Sequence, residues 1–168
     1  MRNLEIKAKV RDLKPLRNIA AKVGATLGGK DRQEDTYFKV AEGRLKLRES
    51  SLSGGELIAY FRADGIDPAE SKYEKVRVQD PLRLKKILKK TLGVAATVVK
   101  EREVYRLGNV RIHLDAVEGL GEFIEFEVEL KEGGDNGNSE TTMADLISVF
   151  NIERVNLVEK SYGDMIGR

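Results

Sequence analysis

Glu122-Phe-Ile-Glu-Phe-Glu-Val-Glu-Leu130 is the stretch from which the fold is read. Side chains alternate along an extended strand, so Glu125, Glu127 and Glu129 fall on one face and Ile124, Phe126, Val128 and Leu130 on the other. One face is acidic and the other apolar. Working outward, the same parity recurs with basic residues. Arg44, Lys46 and Arg48 alternate with Leu45 and Leu47, Lys100 and Arg102 share a face, and Arg111, His113 and Asp115 alternate with Val110, Ile112 and Leu114. At the N-terminus Asn3, Glu5, Lys7 and Lys9 face away from Leu4, Ile6, Ala8 and Val10.

Period-two patterning predicts strands over 3–10, 33–39, 44–49, 56–63, 72–79, 97–107, 109–117 and 122–131. Gly28-Gly29, Gly54-Gly55, Gly108-Asn109 and Gly133-Gly134 read as turns, and the polar stretch Gly133–Glu140 as a loop. Most strands are therefore hairpin-connected and antiparallel, with too few helices for a doubly wound sheet. Helical spacing predicts one helix capped by Asp12, carrying Leu13, Leu16, Ile19, Ala20 and Val23 and stopped by Gly24. A second follows Asp80-Pro81, with Leu84, Ile87 and Leu88 inward and Arg83, Lys85, Lys86, Lys89 and Lys90 outward as a solvated face, and a third covers 142–150. The class is α+β.

Amphipathic helices bury their apolar stripes on the apolar faces of the strands, which leaves the charged faces pointing away from the helices. Two sheets satisfy this. In an open sheet the charges are solvated and held by weak cross-strand pairs. In a closed eight-stranded antiparallel β-barrel with helices packed on the outside, the charges line an interior that side chains nearly fill, where they must pair or hold a charged ligand. Arg and Lys clusters suit phosphate, and carboxylates facing them suit Mg²⁺ or Mn²⁺.

The 168 residues predict one domain over 1–168. There is no cysteine, so disulfide scaffolds and thiolate chemistry are excluded. No apolar run is long enough for a membrane span or the core of a signal peptide, which makes cytoplasmic location the expectation. With 30 Lys and Arg against 28 Asp and Glu, the net charge of +2 disfavours a nucleic-acid coat. Charged residues still make up 35% of the chain, so any anion site is local.

The sequence resembles the CYTH superfamily of triphosphate tunnel metalloenzymes, and within it the class IV adenylate cyclase branch. The resemblance runs through Asn3-Leu-Glu5-Ile-Lys7, Gln33-Glu-Asp35-Thr-Tyr37-Phe38, Arg44-Leu-Lys46-Leu-Arg48-Glu49, Lys100-Glu-Arg102, His113-Leu-Asp115, Gly119-Leu-Gly121-Glu-Phe-Ile-Glu125-Phe-Glu127 and Ser161-Tyr162. It implies a closed tunnel of eight antiparallel strands in which basic residues grip a triphosphate and acidic residues bind divalent metal. Asn3 departs from the family motif, which has Glu there, and an amide is a weaker metal ligand than a carboxylate.

On this reading Lys7, Lys9, Lys46, Arg48, Arg62, Lys100, Arg102 and Arg111 form the phosphate set, since several cations are needed to hold a triphosphate away from water. Glu5, Asp115, Glu125 and Glu127 form the metal set, with Glu129 near the rim. Glu5, Glu125, Arg48 and Arg102 are the candidate catalytic residues. His113, the only histidine, is either a proton shuttle or a hydrogen-bonded wall residue. Lys72, Tyr73, Glu74 and Lys75 lie on a strand whose parity the sequence leaves open. The expected partner is a nucleoside triphosphate or another triphosphate, and a homodimer is compatible with the chain. The activity expected is ATP cyclisation to cyclic AMP and pyrophosphate; hydrolysis of a small triphosphate and non-catalytic nucleotide or polyphosphate binding stand as alternatives.

Overall fold

A computed structural model describes residues 2–62, 67–130 and 138–167, with Arg62 described by its backbone alone. The strands are β1 (Arg2–Val10), β2 (Thr26–Phe38), β3 (Arg44–Ser50), β4 (Gly54–Arg62), β5 (Ala69–Val78), β6 (Val94–Leu107), β7 (Val110–Val117) and β8 (Gly121–Leu130). Helix α1 (Lys14–Lys22) follows β1, α2 (Pro81–Thr91) follows β5, and α3 (Ser139–Val149) and α4 (Tyr162–Ile166) follow β8. All strands pair antiparallel and close into a barrel in the order β1-β5-β4-β3-β2-β6-β7-β8. The charged faces point inward, and the open-sheet alternative is excluded.

The core lies outside the barrel, between sheet and helices. Leu4, Ile6 and Ala8 of β1, Ile112 and Leu114 of β7, and Ile124, Phe126 and Val128 of β8 bury against Leu13, Leu16 and Ala20 around α1 and against Met143, Leu146 and Phe150 around α3. Phe126 and Phe150 meet edge to face at 5.1 Å. Burying a side chain of this size contributes about 2–3 kcal/mol, so these contacts hold parity firmly: a one-residue slip of β8 would carry its glutamates into the core.

Four local readings need correction. Gly28-Gly29 is a bulge inside β2, where the register against β6 slips between Leu27 and Gly29. The strand begins at Thr26 because the long β6 supplies ladder partners that a local pattern cannot reveal. Ile87 is half-exposed and points away from the sheet. In its place Lys85 turns inward, donating to Glu34 at 2.9 Å and bonding Glu49, so α2 docks partly through charge. Residues 131–137 of the loop expected over Gly133–Glu140 lie outside the described residues, and Ser139 and Glu140 already belong to α3. Among the described residues no helix is long and apolar enough to cross a membrane.

Candidate active site

The inward faces of the strands enclose a cavity of about 430 Å³. Asn3, Glu5 and Lys7 of β1, Lys46 and Arg48 of β3, Lys100 and Arg102 of β6, Arg111 and His113 of β7, and Glu125 and Glu127 of β8 all line it. Most sit there because apolar neighbours in sequence are held outward; Arg102, flanked by Glu101 and Glu103, is set by the β6–β7 register opposite Asp115. Tyr73 and Lys75 also line the cavity, which settles the parity of β5.

Two fully buried carboxylates organise the cations. Asp35 accepts Arg48 Nε and a terminal guanidinium nitrogen at 2.7 and 2.8 Å, Lys46 Nζ at 3.0 Å and Lys100 Nζ at 3.2 Å. Burial opposes ionisation of Asp35, but Arg48, Lys100 and Lys46 more than offset it and hold the carboxyl well below its usual range. The lysines bear the cost. Burial, reinforced by Arg48, pushes Lys46 down to about 8, and burial pushes Lys100 down to about 7, against the pull of Asp35 in both cases. Three cations share one carboxylate, so this wall has positive charge left for an anion.

Asp115 accepts two bonds from Arg102 at 2.6 Å each and a third from the Tyr162 hydroxyl at 2.8 Å. Arg102 also reaches Glu125 at 2.8 Å, and Lys7 lies 3.3 Å from the other Glu125 oxygen. Burial disfavours the Glu125 charge, yet Lys7 and Arg102 hold its carboxyl well below the usual range. Asp115, grouped above with the metal set, spends its oxygens on Arg102 and Tyr162 and does not line the cavity.

Among the described residues the metal-capable group is His113, Glu125 and Glu127, which offer ligand atoms all within 4.8 Å of one another. His113 Nδ1 stands 3.2 Å from Glu125 and 3.6 Å from Glu127 Oε1. Arg111, at 2.7 Å, and the Asn3 amide, at 3.2 Å, both engage Glu127 Oε2, leaving Oε1 turned toward His113. Glu5 pairs across the ladder with Glu127 and lines the cavity beside this group. The carboxylate oxygens are the donors that Mg²⁺ or Mn²⁺ takes, and an imidazole nitrogen beside them suits Mn²⁺ better than Mg²⁺.

One end of the tunnel is sealed by α4, an element that local pattern did not reveal. Ser161 caps it by accepting from Asp164 N, and Asp164 anchors Arg44 at 2.8 Å. Gly163 lies so close to the Tyr37 ring that a Cβ would come within 2.9 Å of it. Tyr162 inserts against Phe123 with ring centroids 5.0 Å apart, and Lys7 and Lys100 hold their ammonium groups 4.2 and 5.3 Å from its ring. Lys7 and Lys100 stand by the Tyr162 ring, Lys7 and Arg102 reach Glu125, Glu125 adjoins His113, and Arg111 links Glu127 to the half-exposed Glu129. Lys9 stays outside the lining, 5.9 Å from the Phe123 ring. Arg62 pairs through its backbone with Ser71, and its side chain is outside the described residues.

Residues 1–162 match the CYTH domain. The chain belongs to the CYTH family. Members of this family are metal-dependent enzymes acting on triphosphates. A Methanocaldococcus jannaschii protein named as a candidate adenylate cyclase is 27% identical, and the match covers 99% of each chain. Among solved structures, a protein from Pyrococcus horikoshii superposes with a TM-score of 0.87 at 24% identity, covering 98% of this chain and 99% of the other. A Hippeastrum protein, described as a candidate adenylyl cyclase with a dominant triphosphatase activity, superposes with a TM-score of 0.62 at 14% identity, covering 95% and 91% of the two chains. These likenesses under 25% identity carry the tunnel fold, not the reaction.

Proposed function

We propose that residues 1–168 act as one tunnel domain that converts ATP to cyclic AMP and pyrophosphate with Mg²⁺ or Mn²⁺. The observation that carries this is the order of groups along the tunnel. Lys7 and Lys100 lie against Tyr162 at the sealed end, and the metal-capable group joins them through Glu125 on one side and the half-exposed Glu129 through Glu127 and Arg111 on the other. A triphosphate drawn in by charge seats its terminal phosphates deepest, which brings the phosphorus bearing the organic group level with His113, Glu125 and Glu127. Lys7, Lys46, Arg48, Lys100 and Arg102 hold the two terminal phosphates and stabilise the charge that builds on departing pyrophosphate. Glu125, Glu127 and His113, with Glu5 beside them, hold the cation, which when bound polarises the phosphoryl oxygen and acidifies the attacking hydroxyl. Arg111 and the Asn3 amide orient Glu127 for that task. The name of the Methanocaldococcus relative supports the same reaction.

A second reading, hydrolysis of a triphosphate, draws support from the dominant triphosphatase activity given for the Hippeastrum neighbour. Products separate the two. Cyclisation needs a ribose 3′-hydroxyl, so 3′-deoxy ATP binds without reacting and inorganic triphosphate only inhibits. A triphosphatase accepts both and releases orthophosphate. Tight metal-independent binding without any turnover would instead mark a sensor, the reading that Asn3 in place of Glu keeps open.

A further inference from the structure

The mouth of the tunnel holds a group that the phosphate and metal chemistry does not use. Gly28 and Gly29 of the β2 bulge both line the cavity, so two successive peptide units face it without side chains. A Cβ on Gly29 would come within 2.9 Å of Leu52 Cδ1, which puts the Leu52 side chain directly over this ledge. A Cβ on Gly28 would lie 3.4 Å from the Val104 carbonyl oxygen and 3.9 Å from Arg106 Nε, so a guanidinium flanks the same ledge.

Leu52 is 63% exposed, and its backbone is held in place. The turn that carries it is pinned by the buried Asp31, whose carboxylate accepts Ser50 Oγ at 2.7 Å, Ser51 Oγ at 2.9 Å and Leu52 N at 3.2 Å. Gln33 holds Asp31 from the other side at 2.7 Å. An apolar side chain packed on the Gly29 peptide and exposed on its outer side, beside the Gly28 peptide and a guanidinium, is a preorganised surface for a flat aromatic ring. Dispersion contacts favour a planar ligand there, and the guanidinium favours a π face.

We infer that Gly28, Gly29, Leu52 and Arg106 form the slot that receives the planar heteroaromatic base of a nucleoside triphosphate. The inference rests on the triphosphate reading above and deepens it: the slot lies at the open end, where the organic group of a ligand seated phosphate-first must emerge. The β2 bulge is then the feature that makes the tunnel a nucleotide site and not merely a polyphosphate site.

The test is calorimetric binding of ATP and of inorganic tripolyphosphate, without divalent cation so that neither turns over. Leu52→Ala removes an exposed side chain and should keep the fold. Gly28→Leu fills the ledge at a position with ordinary room for a Cβ. Each variant is expected to weaken ATP by about five-fold or more, the scale of one lost base stack, while tripolyphosphate affinity stays unchanged. Equal losses for both ligands, or ATP binding unaffected by either substitution, would overturn the slot. Failure of the unaltered chain to bind either ligand would overturn the triphosphate reading and the slot with it. Tripolyphosphate bound by the unaltered chain and ATP not bound would overturn the slot and the cyclisation of ATP, and leave the triphosphate tunnel standing.

Discussion

Asp35 and Asp115 are both fully buried and both grip an arginine with two oxygens, yet their surroundings differ in sign. Asp35 answers three cations alone. Asp115 shares Arg102 with Glu125 and gains the Tyr162 hydroxyl, so its neighbourhood is balanced without a ligand. Burial of charge is costly in both places, but only the Asp35 wall has its cost offset by an arriving anion. The first carboxylate sets a binding wall and the second a scaffold.

The largest expected effects come from breaking each in turn. Asp35→Asn and Asp115→Asn should each destabilise the fold by about 3–5 kcal/mol, the usual result of leaving a buried ion without its partner. Thermal melts with and without millimolar tripolyphosphate separate them. The ligand should restore much of the Asp35→Asn loss by binding the freed cations, and much less of the Asp115→Asn loss. Equal rescue would erase the distinction.

A smaller effect follows from Arg48→Ala, which removes a charge-assisted bond to phosphate. Tripolyphosphate binding should weaken by more than about 1.5 kcal/mol, roughly ten-fold. Titration calorimetry reads this directly, and an unchanged Kd would place the anion elsewhere.

The metal corner is expected to respond more modestly and in opposite directions. Glu125→Gln keeps shape but removes charge, so divalent-dependent turnover should fall while metal-free triphosphate binding holds or improves. Asn3→Glu should raise metal affinity, because it adds a carboxylate beside Glu127, where the present amide only donates at 3.2 Å. Unaltered Mg²⁺ and Mn²⁺ dependence in both variants would make these carboxylates structural ion-pair partners.

The smallest effect is in pH. Burial lowers Lys100 to about 7 and Lys46 to about 8, so between these values and the ordinary lysine range the folded chain binds fewer protons than the unfolded one. Stability from this pair is therefore lowest below pH 7 and rises as pH climbs through that window. Ligand binding has the opposite slope. A bound triphosphate favours both charged ammonium groups, so binding takes up protons near pH 8 and affinity falls as pH rises from 7 to 9. Calorimetry in buffers of different ionisation enthalpy measures that uptake; proton release would contradict the surplus-charge account.

Much of this was legible in the alternation of β8, β7 and β1, because one apolar face against helices forces the other inward. The basic residues on β3 followed from the same rule, and Lys100 and Arg102 on β6 from sharing one face. What stayed hidden depended on distance along the chain. Asp35 stands in a quoted motif, but its role appears only when β3 and β6 bring Arg48, Lys46 and Lys100 to it. Tyr162 meets Asp115 across 47 positions, and no periodicity announces a plug of five residues. His113 joins Glu125 and Glu127 only through the β7–β8 register. Gly28-Gly29 carries the same local signal for a turn as for a bulge, and the β6 ladder decides between them.

The most direct test of the account is the product made from ATP in the presence of Mn²⁺, followed by phosphorus NMR. The account predicts cyclic AMP and pyrophosphate in equal amounts, with no reaction of 3′-deoxy ATP. Orthophosphate and ADP, with inorganic triphosphate cleaved at least as fast as ATP, would contradict it.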